Sequence, residues 1–225
     1  MDLERDLQEL APHTQGGSRE EERISIAINA DSIATWALPA LTPLVRNGLP
    51  VEIITDDQNF TQEWLRSGHV IGCVTTLKPA LRGCKVVPLG AMHYVAVAEA
   101  GYVHTHLPEG LTAHSFRALP FIAFNRKDGI QAEFIGQVFG LKRVNLRQWF
   151  VPSSEGQLRA VRAGWGVSVV PQMLASPLLA TGELVNLAPG HSLAVPLYWH
   201  CWNLESEVLD DLSRALTGAA RQALQ

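Results

Sequence analysis

Arg23-Ile24-Ser25-Ile26-Ala27-Ile28-Asn29-Ala30-Asp31-Ser32-Ile33-Ala34-Thr35-Trp36 is the stretch on which the fold turns. Ile24, Ile26 and Ile28 alternate with smaller or polar residues, the period of a strand with one buried face. Ser32 stands where a helix N-cap is expected, ahead of the apolar positions Ile33, Trp36, Ala37 and Leu41. A strand that feeds a helix leaves unpaired N–H groups and partial positive charge at its carboxyl end. A ligand carboxylate fits there beside the Ser32 hydroxyl, although an ordinary capped helix explains the same residues.

Outward from this unit, strand and helix signals keep alternating, which is the pattern of an α/β fold. The helix from Ser32 runs to about Asn47 and ends at Gly48 and Pro50. A strand over Val51 to Thr55, a helix from Phe60 to Ser67 and a strand over Val70 to Thr76 follow. Right-handed crossovers make these strands parallel neighbours. After an apolar region from Lys85 to Val97 the pattern restarts, with Pro120 to Asn125 as strand and Asp128 to Phe139 as helix. Leu146 to Val151 is then a strand, Pro152-Ser153-Ser154-Glu155 opens a helix through Arg162, and Gly164-Trp165-Gly166 turns into a strand over Val167 to Val170. Pro171 opens a further helix. Val195 to Trp202 closes as strand and Ser206 to Leu224 as an amphipathic helix, with Val208, Leu209, Leu212 and Leu216 on one stripe.

Composition narrows the function. The chain has 225 residues and a formal net charge of −4, an acidic balance unsuited to gripping phosphates over its general surface. No apolar run approaches the roughly 20 residues that span a bilayer, and the charged start Met1 to Leu7 lacks the apolar core of a secretion signal, so a cytoplasmic protein with no membrane partner is expected. Cys73, Cys84 and Cys201 are an odd set with no close pair in sequence, read as reduced and mostly buried. His104-Thr105-His106 puts two imidazoles on one side of an extended segment, but no further ligand stands nearby, and neither metal nor cofactor is expected. Enzyme readings centred on Ser32 or Ser153-Ser154-Glu155 lack a general base, and no nucleophile elbow, His-Glu-x-x-His or phosphate loop is present. A secreted solute-binding protein is the remaining rival.

Four segments carry a family resemblance: Asn29 to Trp36, Asp56-Asp57, Gly164 to Pro171, and Leu197-Tyr198-Trp199-His200. From about Arg23 to Leu224 the chain resembles the effector-binding domain of LysR-type transcriptional regulators. More narrowly, it is similar to the branch that senses lysine and arginine and controls basic amino-acid export. The resemblance implies an α/β fold of two Rossmann-like lobes joined by crossing strands, like type II periplasmic binding proteins. Residues 23–93 with 196–225 would form lobe I and residues 94–195 lobe II. Residues 1–22 would be a linker-helix remnant and flexible tether, with the DNA-binding winged helix-turn-helix domain absent from this chain. It also implies a homodimer pairing lobe I of each subunit antiparallel with lobe II of the other, a tetramer being open for the full-length protein, and contact with promoter DNA only through the missing domain.

Ligands in such folds sit at the carboxyl ends of strands. The expected effector-binding residues are therefore Ser32, Asp57, Thr75, Thr76, Asn125, Asp128, Ser153, Ser154 and Glu155. Ser32 would hold an α-carboxylate, while Asp57, Asp128 and Glu155 would neutralise the ammonium and side-chain cation of L-lysine or L-arginine. Turn and capping roles explain the three acids equally well. Trp36, Trp64, Trp149 and Trp165 are candidates for stacking on a cation, with core packing the alternative for Trp36. This chain alone is expected to leave a promoter fragment unretarded in a mobility-shift titration; retardation of one promoter sequence but not a scrambled copy would refute that expectation.

Overall fold

The computed structural model describes residues 23–55 and 61–224. The tether at 1–22 and Asp57 lie outside the described residues. Strand β1 (Ile24–Ala27) pairs in parallel with β2 (Val51–Ile54) on one side and β3 (Gly72–Thr75) on the other, as two right-handed crossover units require. The crossover between β1 and β2 is α1, three consecutive segments: Ala30–Ser32, a π-helical Ile33–Ala37 and Leu38–Arg46. Between β2 and β3 lies α2 (Thr61–Arg66).

The start of α1 corrects the expected cap. Asn29 occupies the N-cap position in an extended conformation, φ −65° and ψ 150°, whereas Ser32 is already helical. Ser32 is fully buried, and its Oγ accepts the Trp36 Nε1–H at 3.2 Å, a bond between residues one turn apart on the same helix face. Starting the helix earlier buries Trp36 and Leu41 while giving the indole its partner, so Trp36 is a core residue.

The long strand β4 (Cys84–Glu99) organises the rest. From Cys84 to Tyr94 it pairs antiparallel with β9 (Leu193–Trp202), whose other edge carries β3. Tyr94 to Val97 pair with β7 (Ser168–Pro171) on the other edge of β4, and Val97 to Glu99 pair with β8 (Leu184–Asn186), a short strand that the sequence pattern did not signal. A separate parallel pair, β5 (Pro120–Ala123) and β6 (Arg147–Phe150), is tied to the segment before β7 by a Phe121–Val167 bridge. Helices α3 (Ala100–His106), α4 (Ile130–Phe139), α5 (Ser154–Arg162) and α6 (Gln172–Ala180) complete this half of the molecule. The closing helix α7 (Glu207–Ala223) buries Leu209, Leu212, Leu216 and Ala220 and packs against α1. The result is a mixed α/β fold in which the main core runs beneath both α1 and α4.

Two further expectations meet the structure here. His104 and His106 lie in the last turn of α3 rather than on an extended segment. Glu99 starts that helix: its carboxylate accepts the N–H groups of Gly101 at 2.8 Å and Tyr102 at 2.7 Å, which hold its carboxyl below the usual range. Cys73, Cys84 and Cys201 are free thiols; burial, with smaller help from its two companions, pushes Cys73 up to about 12. Among the described residues no group of three or more His, Cys, Asp or Glu is placed to hold a metal ion, and no helix is long and apolar enough to cross a membrane.

The Gly164–Gly166 turn sets the approach of β7 to β5. Gly166 has φ +151°, and a Cβ there would stand 2.3 Å from the Pro120 carbonyl oxygen, which is backbone and cannot swing aside. Gly166→Ala is therefore expected to lower stability by about 1–3 kcal/mol, read as a fall in the urea midpoint at unchanged slope.

Candidate functional site

Three chain segments meet where β1, β5 and β6 end. From the first comes Asn29-Ala30-Asp31 at the start of α1, from the second the turn that carries Asp128, and from the third the first residue of α5, Ser154. Tyr94 reaches the same place from β4, at the residue that pairs with both β9 and β7. The Asp31 carboxylate joins them. Its Oδ1 accepts the Ser154 Oγ–H and its Oδ2 accepts the Tyr94 Oη–H, both at 2.6 Å. Distances this short are typical of O–H···O⁻ bonds to a charged acceptor.

Beside this junction lies a cleft with about 430 Å³ of empty space, a measure that includes its open mouth. Asn29, Ala30, Asp31 and Tyr94 line it. So do Phe124, Asp128, Ile130, Gln131, Gln157 and Val169. The glutamines are structural. Gln131 donates to the Val169 carbonyl at 2.9 Å and accepts the Val169 N–H at 2.7 Å, completing a strand edge as a backbone would. Gln157 donates to the Val151 carbonyl at 3.3 Å and accepts the Ser168 hydroxyl at 3.4 Å.

Asp128 closes its own turn: Oδ2 accepts the Phe124 N–H and Oδ1 the Ile130 N–H, each at 2.9 Å. Two carboxylates thus line the cleft, and among the described residues no Lys or Arg does. A carboxylate oxygen has two lone pairs and accepts from more than one donor, so a structural bond does not bar it from meeting a ligand. Such a wall attracts a cationic group and repels an anionic one.

A family model described as the LysR substrate binding domain matches residues 17–225. The chain belongs to this family. The HTH-type transcriptional regulator ArgP of Aeromonas salmonicida is 37% identical over 204 residues, which cover 90% of this chain and 68% of that protein. A solved structure of the C-terminal domains of a LysR family protein from Agrobacterium tumefaciens superposes with a TM-score of 0.85 at 38% identity, covering 90% of this chain and 98% of the other. Full-length LysG from Corynebacterium glutamicum, solved with bound effector Arg, gives a TM-score of 0.81 at 32% identity over 91% of this chain and 70% of its own. The chain is accordingly a regulatory domain, not an enzyme, with the type II periplasmic-binding-protein-like fold of LysR effector-binding domains.

Within the LysR domain the expected site residues scatter. Asp128 and Ser154 reach the junction. Ser32 does not line the cleft, because it faces Trp36 inside the helix. Thr75 is fully buried and accepts the Leu77 N–H at 3.2 Å, and neither it nor Thr76 lines the cleft. Asn125 accepts the Lys127 N–H at 2.7 Å in a tight turn. Ser153 caps α5 through the Gly156 N–H at 3.0 Å, and Glu155 is exposed in the first turn of that helix. Trp165 is 51% exposed and sits edge-on to Trp149, away from the cleft lining.

Asn29, Asp31 and Tyr94 were missed. The first two lie between the end of β1 at Ala27 and Ser32, the residue expected to cap the helix. Tyr94 carried a usable signal: a hydroxyl within a long apolar strand needs a partner when buried. In a double-mutant cycle, Asp31→Ala and Ser154→Ala are expected to be non-additive by about 0.5–3 kcal/mol in urea unfolding, since they share one buried contact. Additive losses would mean that the contact contributes nothing to stability.

Proposed function

We propose that this domain senses a basic amino acid, L-arginine or L-lysine, in the cleft between Asp31 and Asp128, and that its full-length regulator controls an amino-acid exporter. The observation that carries the ligand class is the pair of carboxylates on a cleft without a lining Lys or Arg among the described residues. A basic side chain brings a charge complementary to these acids, which a neutral aliphatic side chain does not. The arginine bound to the similar LysG supports the same class. Asp57, which follows β2 in sequence, is proposed as a third acid of the site, and Glu155 as an outer one.

In this reading residues 23–93 with 196–225 form lobe I and residues 94–195 lobe II. A ligand that touches Asp31 from lobe I and Asp128 from lobe II shifts the lobe angle only by binding one angle better than another. The signal would then reach a partner subunit. We propose a cytoplasmic homodimer in which α1 of one copy meets α4 of the other, supported by Leu38 and Val45, which are 46% and 50% exposed on α1. Trp36, Leu41, Phe134 and Ile135 are all in the core and take no part in this patch.

Calorimetric titration is expected to show L-arginine or L-lysine binding at least about tenfold more tightly than L-leucine, with Asp128→Asn weakening the basic ligand by about 1.5–3 kcal/mol. Equal binding of leucine, or no basic amino-acid binding up to millimolar concentration, would refute the ligand class. Light scattering should report a dimer at tens of micromolar protein, and a monomer with and without ligand would remove the proposed route to the partner.

A further inference from the structure

Asn29 sits against the cleft at 2% exposure, and its Oδ1 is buried with no hydrogen-bond partner among the described residues. Nor does its side chain cap α1, the ordinary use of an asparagine in that position. Its neighbours on the wall differ. Asp31 accepts two hydroxyls, Asp128 two backbone N–H groups, and Gln131 and Gln157 bond both ways. A buried acceptor without a donor carries the whole desolvation penalty of its group, so its persistence at a cleft wall points to a donor that arrives with the ligand.

We propose that Asn29 is a specificity-determining residue whose Oδ1 accepts an N–H of the effector's α-ammonium group. The proposal rests on the reading of the effector as a basic amino acid. Charge decides which end of the ligand it takes. A side-chain guanidinium or ammonium carries a full, isolated charge, and in a cleft it requires the carboxylates of Asp31 and Asp128. The α-ammonium is already offset by its own carboxylate one carbon away, so a neutral amide oxygen is a sufficient partner. Asn29 thereby selects α-amino acids over cations of equal length that lack the amino group.

The test is a titration of the full chain and two variants, Asn29→Ala and Asn29→Asp, with L-arginine and with 5-guanidinopentanoate, which is arginine without its α-amino group. The wild type is expected to prefer arginine by roughly tenfold or more, the scale of one hydrogen bond to a charged donor. Asn29→Ala should lose that preference while binding 5-guanidinopentanoate as the wild type does, and Asn29→Asp, which keeps an acceptor in place, should retain it. The effector-free Asn29→Ala protein should melt no lower than the wild type, because an orphan acceptor has been removed.

Three results overturn the proposal while leaving the basic amino-acid reading intact. They are equal binding of the two ligands by the wild type, an undiminished arginine preference in Asn29→Ala, and an equal loss of both ligands in Asn29→Ala. The first needs no variant to fold. A wild type that binds neither arginine nor lysine overturns the reading itself, and the proposal with it.

Discussion

The antiparallel ladder between β4 and β9 is the contact on which both halves of the molecule depend. β9 carries β3, and through it β1 and β2, on its far edge. β4 outruns β9 and offers its last residues to β7 and β8. One strand of 16 residues therefore belongs to two sheets' worth of pairing, and Tyr94 pairs with both β9 and β7. A register shift between Pro88 and Gly90 bends the ladder on the way.

The Asp31 carboxylate stands on this same crossing point. Its bond to Tyr94 fixes the start of α1 to the shared strand, and its bond to Ser154 fixes it to α5 on the other side. The two hydroxyl donors hold the carboxylate in a fixed orientation. Its oxygens, each able to accept from more than one donor, stand at a cleft that Asp128 also lines. The junction is thus a structural tie and an electrostatic feature at once. Any cation entering the cleft feels both acids, and a change in how Asp31 shares its lone pairs is felt at Ser154, at the first turn of α5.

Asn29 completes this picture from the opposite direction. The acids accept hydrogen bonds from within the protein, whereas the amide oxygen two residues before Asp31 has no partner among the described residues. Sites of small-molecule recognition commonly combine fixed groups with a few unsatisfied ones, since preorganisation lowers the cost of binding and an unsatisfied acceptor adds to its gain. The π-helical segment Ile33–Ala37 directly after this corner adds one residue to a turn of α1, a local irregularity of the kind often found at functional sites.

The alternation of Ile24, Ile26 and Ile28, the glycine and proline stops, and the stripe of Leu209, Leu212 and Leu216 were sufficient to place an α/β fold with parallel β1, β2 and β3 and a closing amphipathic helix. Those are period-and-breaker signals, written locally along the chain. The family followed from short runs such as Asn29 to Trp36, and Asp128 and Ser154 were named because capping residues stand at strand ends wherever the strands lie. The helix start at Ala30, the core position of Ser32 and the meeting of Asp31, Tyr94 and Ser154 were decided by tertiary structure alone. A helix can begin at Asn29 or at Ser32 on nearly equal local terms, and burial of Trp36 chooses between them. Residues 31, 94 and 154 are brought together by pairings between distant strands, with Tyr94 paired to both β9 and β7, which no local pattern encodes.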